Sequence, residues 1–321
     1  MKIALVYNPL DNKLRPDTYS YIYRGMLEAI FKRWGRQDEI THISTSCSME
    51  DINVDVVLFY DINSKHHIEL EGLAKHSALK IECMGDPFQH ELYGIHSQYD
   101  MKFHKLNAEQ RLDRAQRRGI EYIVCATKEG YFQYFSPILG EDQAEKMLIY
   151  FPLAPSFPSY DIPLKERKQE VLGNGAITEF DYTFGYVMRK WAFLQPYITF
   201  IKPWVYDHST PKGSQYGKFL KQWAGALALN DYYIVGKYFE MPLAGCVTFA
   251  QYYKEYEDLG FKDYEHCIYV DVKNFEERVK GFLADISGHQ LIADTGRKLI
   301  EENYTADHFA DFLYKQIEER I

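Results

Sequence analysis

Twice along this chain, short runs of apolar and β-branched residues alternate with amphipathic stretches of helical period. That alternation leaves few folds open. In the first half KIALVYN, EITHIS, VDVVLFYDI, LKIECMGD, EYIVCAT and MLIYFPLAP read as strands. Helical patterns occupy SYIYRGMLEAIFKRWG, HIELEGLAKHS, AEQRLDRAQRRG and KEGYFQYFSPILG. Strands joined through helices run parallel, and a parallel sheet is covered by helices on both faces, so the expected class is α/β.

PLAPSFPSYDIPLKERK then interrupts the pattern with four prolines. Proline and the residue before it resist helix, so this segment is the expected linker. Beyond it the alternation restarts: EVLGNGAI, ITFIKPW, ALALND and IYVDV as strands, with DYTFGYVMRKWAFL, KFLKQWAG and NFEERVKGFLADI as helices. A pair of helices ends the chain. At 321 residues the chain exceeds one ordinary core. Two doubly wound Rossmann-like domains facing across a cleft is the economical arrangement, with ligands at the carboxyl ends of the strands.

Charge and cysteines narrow the function. The formal net charge is −9, and beyond KERK and RAQRR no basic cluster stands out, which argues against a nucleic-acid groove. A small anion needs only a local pair of cations. The five cysteines are scattered without a CxxC spacing, as expected of reduced thiols in a cytoplasmic protein. No run of about 20 apolar residues is present, so no transmembrane segment is expected. Tyrosine is abundant, 27 residues, and suits sugar- or base-holding clefts as well as half-buried core positions.

The segment GKYFEMPLAGCVTFA, residues 236–250, places charge where burial is expected. It reads as a short helix over residues 237–244, a glycine, and a strand. Helical spacing puts Phe239 and Leu243 on the sheet side and turns Lys237 and Glu240 outward at the strand ends. Free N–H groups at such a helix start, with Lys237 beside them, suit a phosphate, and Glu240 suits sugar hydroxyls. The alternative is a surface ion pair three residues apart, worth about 0.2–0.5 kcal/mol.

The same segment resembles the sugar-nucleotide-binding segment of group 1 glycosyltransferases, in particular the subgroup like spore-maturation glycosyltransferases. KGSQYGKFLKQWAGALALND resembles the tyrosine-bearing helix and strand that precede it. GNGAITEFDYTFGYVMRKW is similar to the family's opening strand, glycine turn and arginine-bearing helix, and FPLAP to the stretch before the domain crossover. The resemblance covers roughly residues 148–321 and is only architectural before that.

It implies a GT-B-type fold. An acceptor-side domain would span 1–155, a donor domain 156–305, and the terminal helix, 306–321, would pack back on the first domain. It implies a nucleotide-sugar as co-substrate rather than a resident cofactor, and a glycan or other hydroxyl compound as acceptor. By position, Arg189 and Lys237 would hold the diphosphate, Glu240 the ribose or sugar hydroxyls, and Gly173 and Gly175 would admit the donor to the backbone. One departure is Tyr232, where many such enzymes carry a second glutamate; Asp231 is its neighbour. That departure keeps open a second reading, a binding or assembly protein that retains the fold without the chemistry.

CMGDPFQH, residues 83–90, ends a first-domain strand. Asp86 there is the candidate base for an acceptor hydroxyl and His90 a candidate phosphate or sugar ligand, although Asp-Pro is equally a turn former. His66-His67 is a weak metal candidate. No Asp-x-Asp occurs, which agrees with neutralisation of the leaving group by Arg and Lys rather than by a metal ion. GNG alone is no dinucleotide fingerprint.

Overall fold

The computed structural model describes residues 1–9, 14, 21–35, 39–60, 67–85, 101–175, 187–201, 211, 213, 215–230 and 233–321. The chain divides into two units, Met1–Pro152 with Ala306–Ile321, and Leu153–Thr305.

The first unit carries β1 (Lys2–Val6), β2 (Glu39–Ile43), β3 (Cys47–Ser48), β4 (Val56–Phe59), β5 (Leu70–Glu71), β6 (Leu79–Met84), β7 (Tyr122–Cys125) and β8 (Leu148–Tyr150). Its helices in this stretch include α1 (Tyr21–Trp34), α2 (Met101–Arg117), α3 (Lys128–Leu139) and α4 (Glu141–Met147). Six strands form a parallel sheet in the order β2-β1-β4-β6-β7-β8, while β3 and β5 pair separately. β4 and β6 are buried along their whole length; VVLF is accordingly a continuous apolar run, whereas LKIECM alternates and carries Lys80 and Glu82 into the buried sheet. The one carboxylate in β6, Glu82, is fully buried and lies between Arg114 Nη2 and Arg118 Nη1, each 3.7 Å away.

The helix expected over HIELEGLAKHS does not form. Ile68 and Leu70 are buried while Glu69 and Glu71 are exposed, a period of two, and the segment becomes β5 followed by a 3₁₀ turn at Leu73–Lys75. Gly72, at φ +80°, makes the corner between them.

The second unit carries β9 (Lys168–Asn174), β10 (Thr199–Ile201), β11 (Trp223–Ala228), β12 (Val247–Gln251) and β13 (Ile268–Val270). Its helices include α5 (Val187–Phe193), α6 (Gln215–Leu220), α7 (Lys237–Leu243), α8 (Lys254–Asp258), α9 (Phe275–Ala284) and α10 (Gln290–Asn303). The sheet is parallel, in the order β10-β9-β11-β12-β13, around Val171, Leu227, Phe249 and Phe282. β11 starts three residues earlier than the pattern implied, at Trp223, because WAGALA is buried on both faces and its alanines read equally well as helix.

The proline-rich segment is fastened to this second unit. Arg167 donates to the carbonyls of Ile162 and Tyr160 and, at 2.9 Å, to that of Ala244 just past α7. Arg297 pairs with Asp161 at 2.9 Å.

The last helix, α11 (Ala306–Glu318), packs against α1. Trp34 Nε1 donates to Ala310 O at 3.0 Å, Lys32 pairs with Asp307 and Arg33 with Asp311. Its buried stripe is Phe309, Ala310, Leu313 and Ile317.

Numbered within its own main sheet, each unit has the strand order second, first, third, fourth, fifth, and the first unit adds a sixth. In the second unit the order reverses between β9 and β11. The crevice at such a reversal, at the carboxyl ends of the strands, is where open α/β sheets take ligands.

Candidate functional site

Residues from three elements meet at that reversal. β9 ends in Asn174, and Gly175 directly follows it. Asn174 Nδ2 donates to Ile201 O at 3.0 Å and its Oδ1 accepts from Tyr216 Oη at 3.2 Å, which ties the ends of β9 and β10 to α6. From α5, Arg189 is only 5% exposed and donates through Nε and Nη2 to Leu229 O, at 2.9 and 2.5 Å. That carbonyl directly follows β11, so the guanidinium is anchored at the carboxyl edge. It is not a surface arginine, and Glu179 and Asp181, its possible surface partners, lie outside the described residues.

Lys237 enters from α7. Its Nζ is sealed from solvent and, among the described residues, has no hydrogen-bond partner. A Cβ built on Gly175 would lie 2.5 Å from that Nζ and 3.5 Å from Arg189 Nη1, so both cations converge on one spot beside β9. Gly175 has φ +154°, which glycine adopts freely and other residues rarely do. Burial pushes the Lys237 ammonium well below its ordinary range, the Arg189 charge pushes the same way, and Glu240 acts in the opposite sense.

The surface ion-pair reading of Lys237 and Glu240 therefore fails. Glu240 is 7% exposed, and Lys237 makes no ion pair among the described residues. Glu240 turns inward, and Lys237, half-buried as a residue, ends with its Nζ sealed from solvent. An ammonium sealed beside an arginine is unfavourable unless negative charge offsets the repulsion, and Glu240 offsets it only in part.

The helix start contributes less than expected. Tyr238 N–H donates to Val235 O at 2.9 Å, and the Phe239 and Glu240 N–H groups both donate to Gly236 O, at 3.0 and 2.9 Å. These donors are spent on the preceding turn, because α7 is only seven residues long and opens tightly. Positive charge here comes from side chains.

Of the residues singled out in the sequence, Gly175, Arg189, Lys237 and Glu240 thus come together. Gly173 is set apart: a Cβ on it would meet Phe193 and Ile198 at 2.9 and 3.0 Å, so its missing side chain serves the packing of α5 on β9. Asp86, His90, His66, Asp231 and Tyr232 lie outside the described residues. His67 accepts a hydrogen bond from Arg114 Nη1 at 2.6 Å. Among the described residues no three His, Cys, Asp or Glu side chains gather to hold a metal ion, and no helix is long and apolar enough to cross a membrane.

Three residues of the neighbourhood had drawn no attention in the sequence. Asn174 is one. Asn230 and Tyr253 are the others: Asn230 Nδ2 donates to Tyr233 O at 2.8 Å and Tyr253 Oη to Asn230 O at 2.5 Å, bracing the connection from β11 to α7. The two asparagines are signalled only by their places in GNG and ALALND, and Tyr253 carries no such signal.

No protein-family model matches the sequence, and no curated protein does. Solved structures do. The structure of Anabaena Alr3699/HepE in complex with UDP-glucose matches with a TM-score of 0.60 at 9% identity, over 99% of this chain and 100% of that one. A glycosyltransferase from Rickettsia africae ESF-5 matches with a TM-score of 0.51 at 12% identity, over 99% and 98% of the two chains. TarM matches with a TM-score of 0.53 at 11% identity over 84% of this chain, which spans 56% of TarM. With two parallel, doubly wound sheets and this likeness, the chain has the GT-B-like fold found in glycosyltransferases, built of two Rossmann-like units.

Proposed function

We propose that the protein is a glycosyltransferase that moves a sugar from a nucleotide-sugar donor to an acceptor hydroxyl without a metal ion. The observation that carries this reading is the Lys237 amino group, sealed from solvent and without a partner among the described residues, converging with Arg189 beside Gly175 at the sheet reversal. A diphosphate satisfies both cations, and glycine at 175 keeps that space free of a side chain. The likeness in fold to a protein whose structure holds UDP-glucose supports the same ligand class.

In this reading Arg189 and Lys237 hold the diphosphate and Glu240 accepts hydrogen bonds from ribose or sugar hydroxyls. As the bond from the sugar's anomeric carbon to the phosphate oxygen breaks, its electron pair stays on the nucleoside diphosphate. The two cations stabilise that growing charge. The acceptor oxygen bonds to the anomeric carbon and gives up its proton, for which the sequence nominates Asp86, with His90 as a phosphate or sugar ligand. The resemblance to the spore-maturation-like subgroup supports the donor assignment, and the acceptor is a glycan or another hydroxyl compound.

A thermal-shift screen of nucleotide-sugars with and without EDTA tests this. A donor at 100 times its Kd stabilises the protein by about 2.7 kcal/mol, and slow donor hydrolysis should accompany binding. Binding with neither hydrolysis nor transfer would favour the non-catalytic reading that Tyr232 keeps open. Absence of binding by every nucleotide-sugar would sink the transferase reading and leave only an assembly role.

A further inference from the structure

We propose that this site takes up its anion together with a proton: Lys237 waits as an uncharged amine in the empty site and becomes an ammonium when a diphosphate arrives beside Arg189. The inference rests on the nucleotide-sugar reading above and adds a coupling that the reading does not require.

The geometry carries it. An ammonium has three N–H donors and a full charge, and in a sealed place each needs a partner. Lys237 Nζ has none among the described residues. Its neighbour is a guanidinium, which does not give up its proton, and the two converge on the same spot beside Gly175. Of such a pair, only the lysine can relieve the repulsion by losing a proton.

Among the described residues, the other charges around α7 do not supply the missing partner. On its own helix Glu240 acts on Lys237 in the favourable sense, yet it is outweighed by burial and by Arg189 from α5. The end of β9 offers only the uncharged Asn174 and Gly175, and β11 and β12 carry no ionised side chain along WAGALA and VTFAQ. On α10, packed against α7, Arg297 pairs with Asp294, Glu301 and Asp161. A nucleotide-sugar diphosphate bears two negative charges throughout the neutral range, so its arrival reverses the sign of the field at Nζ. The proton comes from solvent and stays on Nζ while the diphosphate remains bound.

Linkage then fixes the observable. Above the pH at which the empty site loses its proton, affinity falls by up to about tenfold per pH unit, and about one proton is taken up per ligand bound. The experiment is calorimetric titration with UDP-glucose, GDP-mannose and ADP-glucose as probes, at pH 7 to 9, in buffers of different ionisation enthalpy. The wild type is expected to show heat that depends on the buffer with a slope near one proton. Lys237→Arg, which keeps the charge but cannot lose it, should bind with a slope near zero. Lys237→Met should bind weakly, again with no uptake. Nitrogen-15 lysine spectra of the empty protein, assigned by the signal missing in Lys237→Met, should show Nζ of Lys237 titrating below every other lysine. Tight binding by the wild type with no buffer dependence, or a Lys237 that titrates with the rest, overturns the coupling and leaves the donor site intact. Failure of all three probes to bind overturns the coupling and the donor reading together.

Discussion

Lys237 Nζ and Arg189 Nη1 reach the same spot from different helices, both within 3.5 Å of the position a side chain on Gly175 would occupy. Arg189 is held there by two donations to Leu229 O, whereas Lys237 Nζ has no hydrogen-bond partner among the described residues. The site therefore pairs a guanidinium that is satisfied with an amino group that is not, and several consequences can be measured.

Lys237→Met should make the empty protein more stable while removing its response to nucleotide-sugars. The replacement is apolar, of similar length, and deletes a buried amine that lacks partners. A stabilisation of about 1–3 kcal/mol is expected, or roughly 2–4 °C in Tm for each kcal/mol. The sign with pH follows from the lowered position of the folded-state lysine. Between that position and its ordinary value the unfolded chain holds the proton and the folded one does not, so wild-type stability rises with pH. The advantage of Lys237→Met should shrink as pH climbs toward 10. A variant less stable than wild type at neutral pH contradicts the assignment of Lys237 as an unsatisfied buried group.

Two glycines two residues apart should respond in opposite ways. Gly175→Ala puts a methyl 2.5 Å from Lys237 Nζ in a backbone region unfavourable to alanine, so nucleotide-sugar affinity should fall by about tenfold or more. Gly173→Ala drives a methyl into Phe193 and Ile198, an overpacking that costs about 1–3 kcal/mol of stability. Melting and binding curves on both variants separate the cases. Equal losses of affinity in the two would mean that the space beside Gly175 is not a ligand's.

These contrasts also mark what the residues announced in advance. The strand–helix alternation was readable because buried parallel strands are apolar runs, and KIALVYN or EYIVCAT leaves little choice. HIELEGLAKHS misled because its period of two, Ile68 and Leu70 against Glu69 and Glu71, sits beside leucines and alanines that favour helix. The depth of Lys237 was not readable at all: spacing gives a face of a helix, while burial depends on how β9, α5 and α7 converge. Gly173 and Gly175 look alike in GNG, and only the neighbours of each absent Cβ tell them apart.

Glu240→Gln should weaken donor binding or turnover with little loss of fold. The change keeps the volume of a buried side chain and removes its charge. Hydrogen bonds to a charged acceptor are worth about 1.5–3 kcal/mol, so a loss of about tenfold or more in kcat/KM is expected. The variant also removes a favourable charge acting on Lys237, so any proton uptake on binding should persist or increase. Unchanged kinetics would free Glu240 from contact with the donor.

The final prediction concerns the leaving group. Negative charge grows on the nucleoside diphosphate as the sugar departs, so a fixed guanidinium favours the transition state over the bound donor. Arg189 is suited to this because its donations to Leu229 O hold the head in place before the donor arrives, leaving little reorganisation for the reaction itself. Arg189→Ala would also strip a partner from that carbonyl, so Arg189→Lys is the cleaner probe, since it keeps a charge and a donor but loses the fork. The lysine variant should fold, bind donor within about tenfold of wild type, and lose about 10²–10³ in kcat, the range seen when one charge-stabilising donor is removed. EDTA should leave the wild-type rate unchanged in the same assay. A loss confined to KM, with kcat preserved, would assign Arg189 to ground-state binding, and abolition by EDTA would transfer its role to a metal ion.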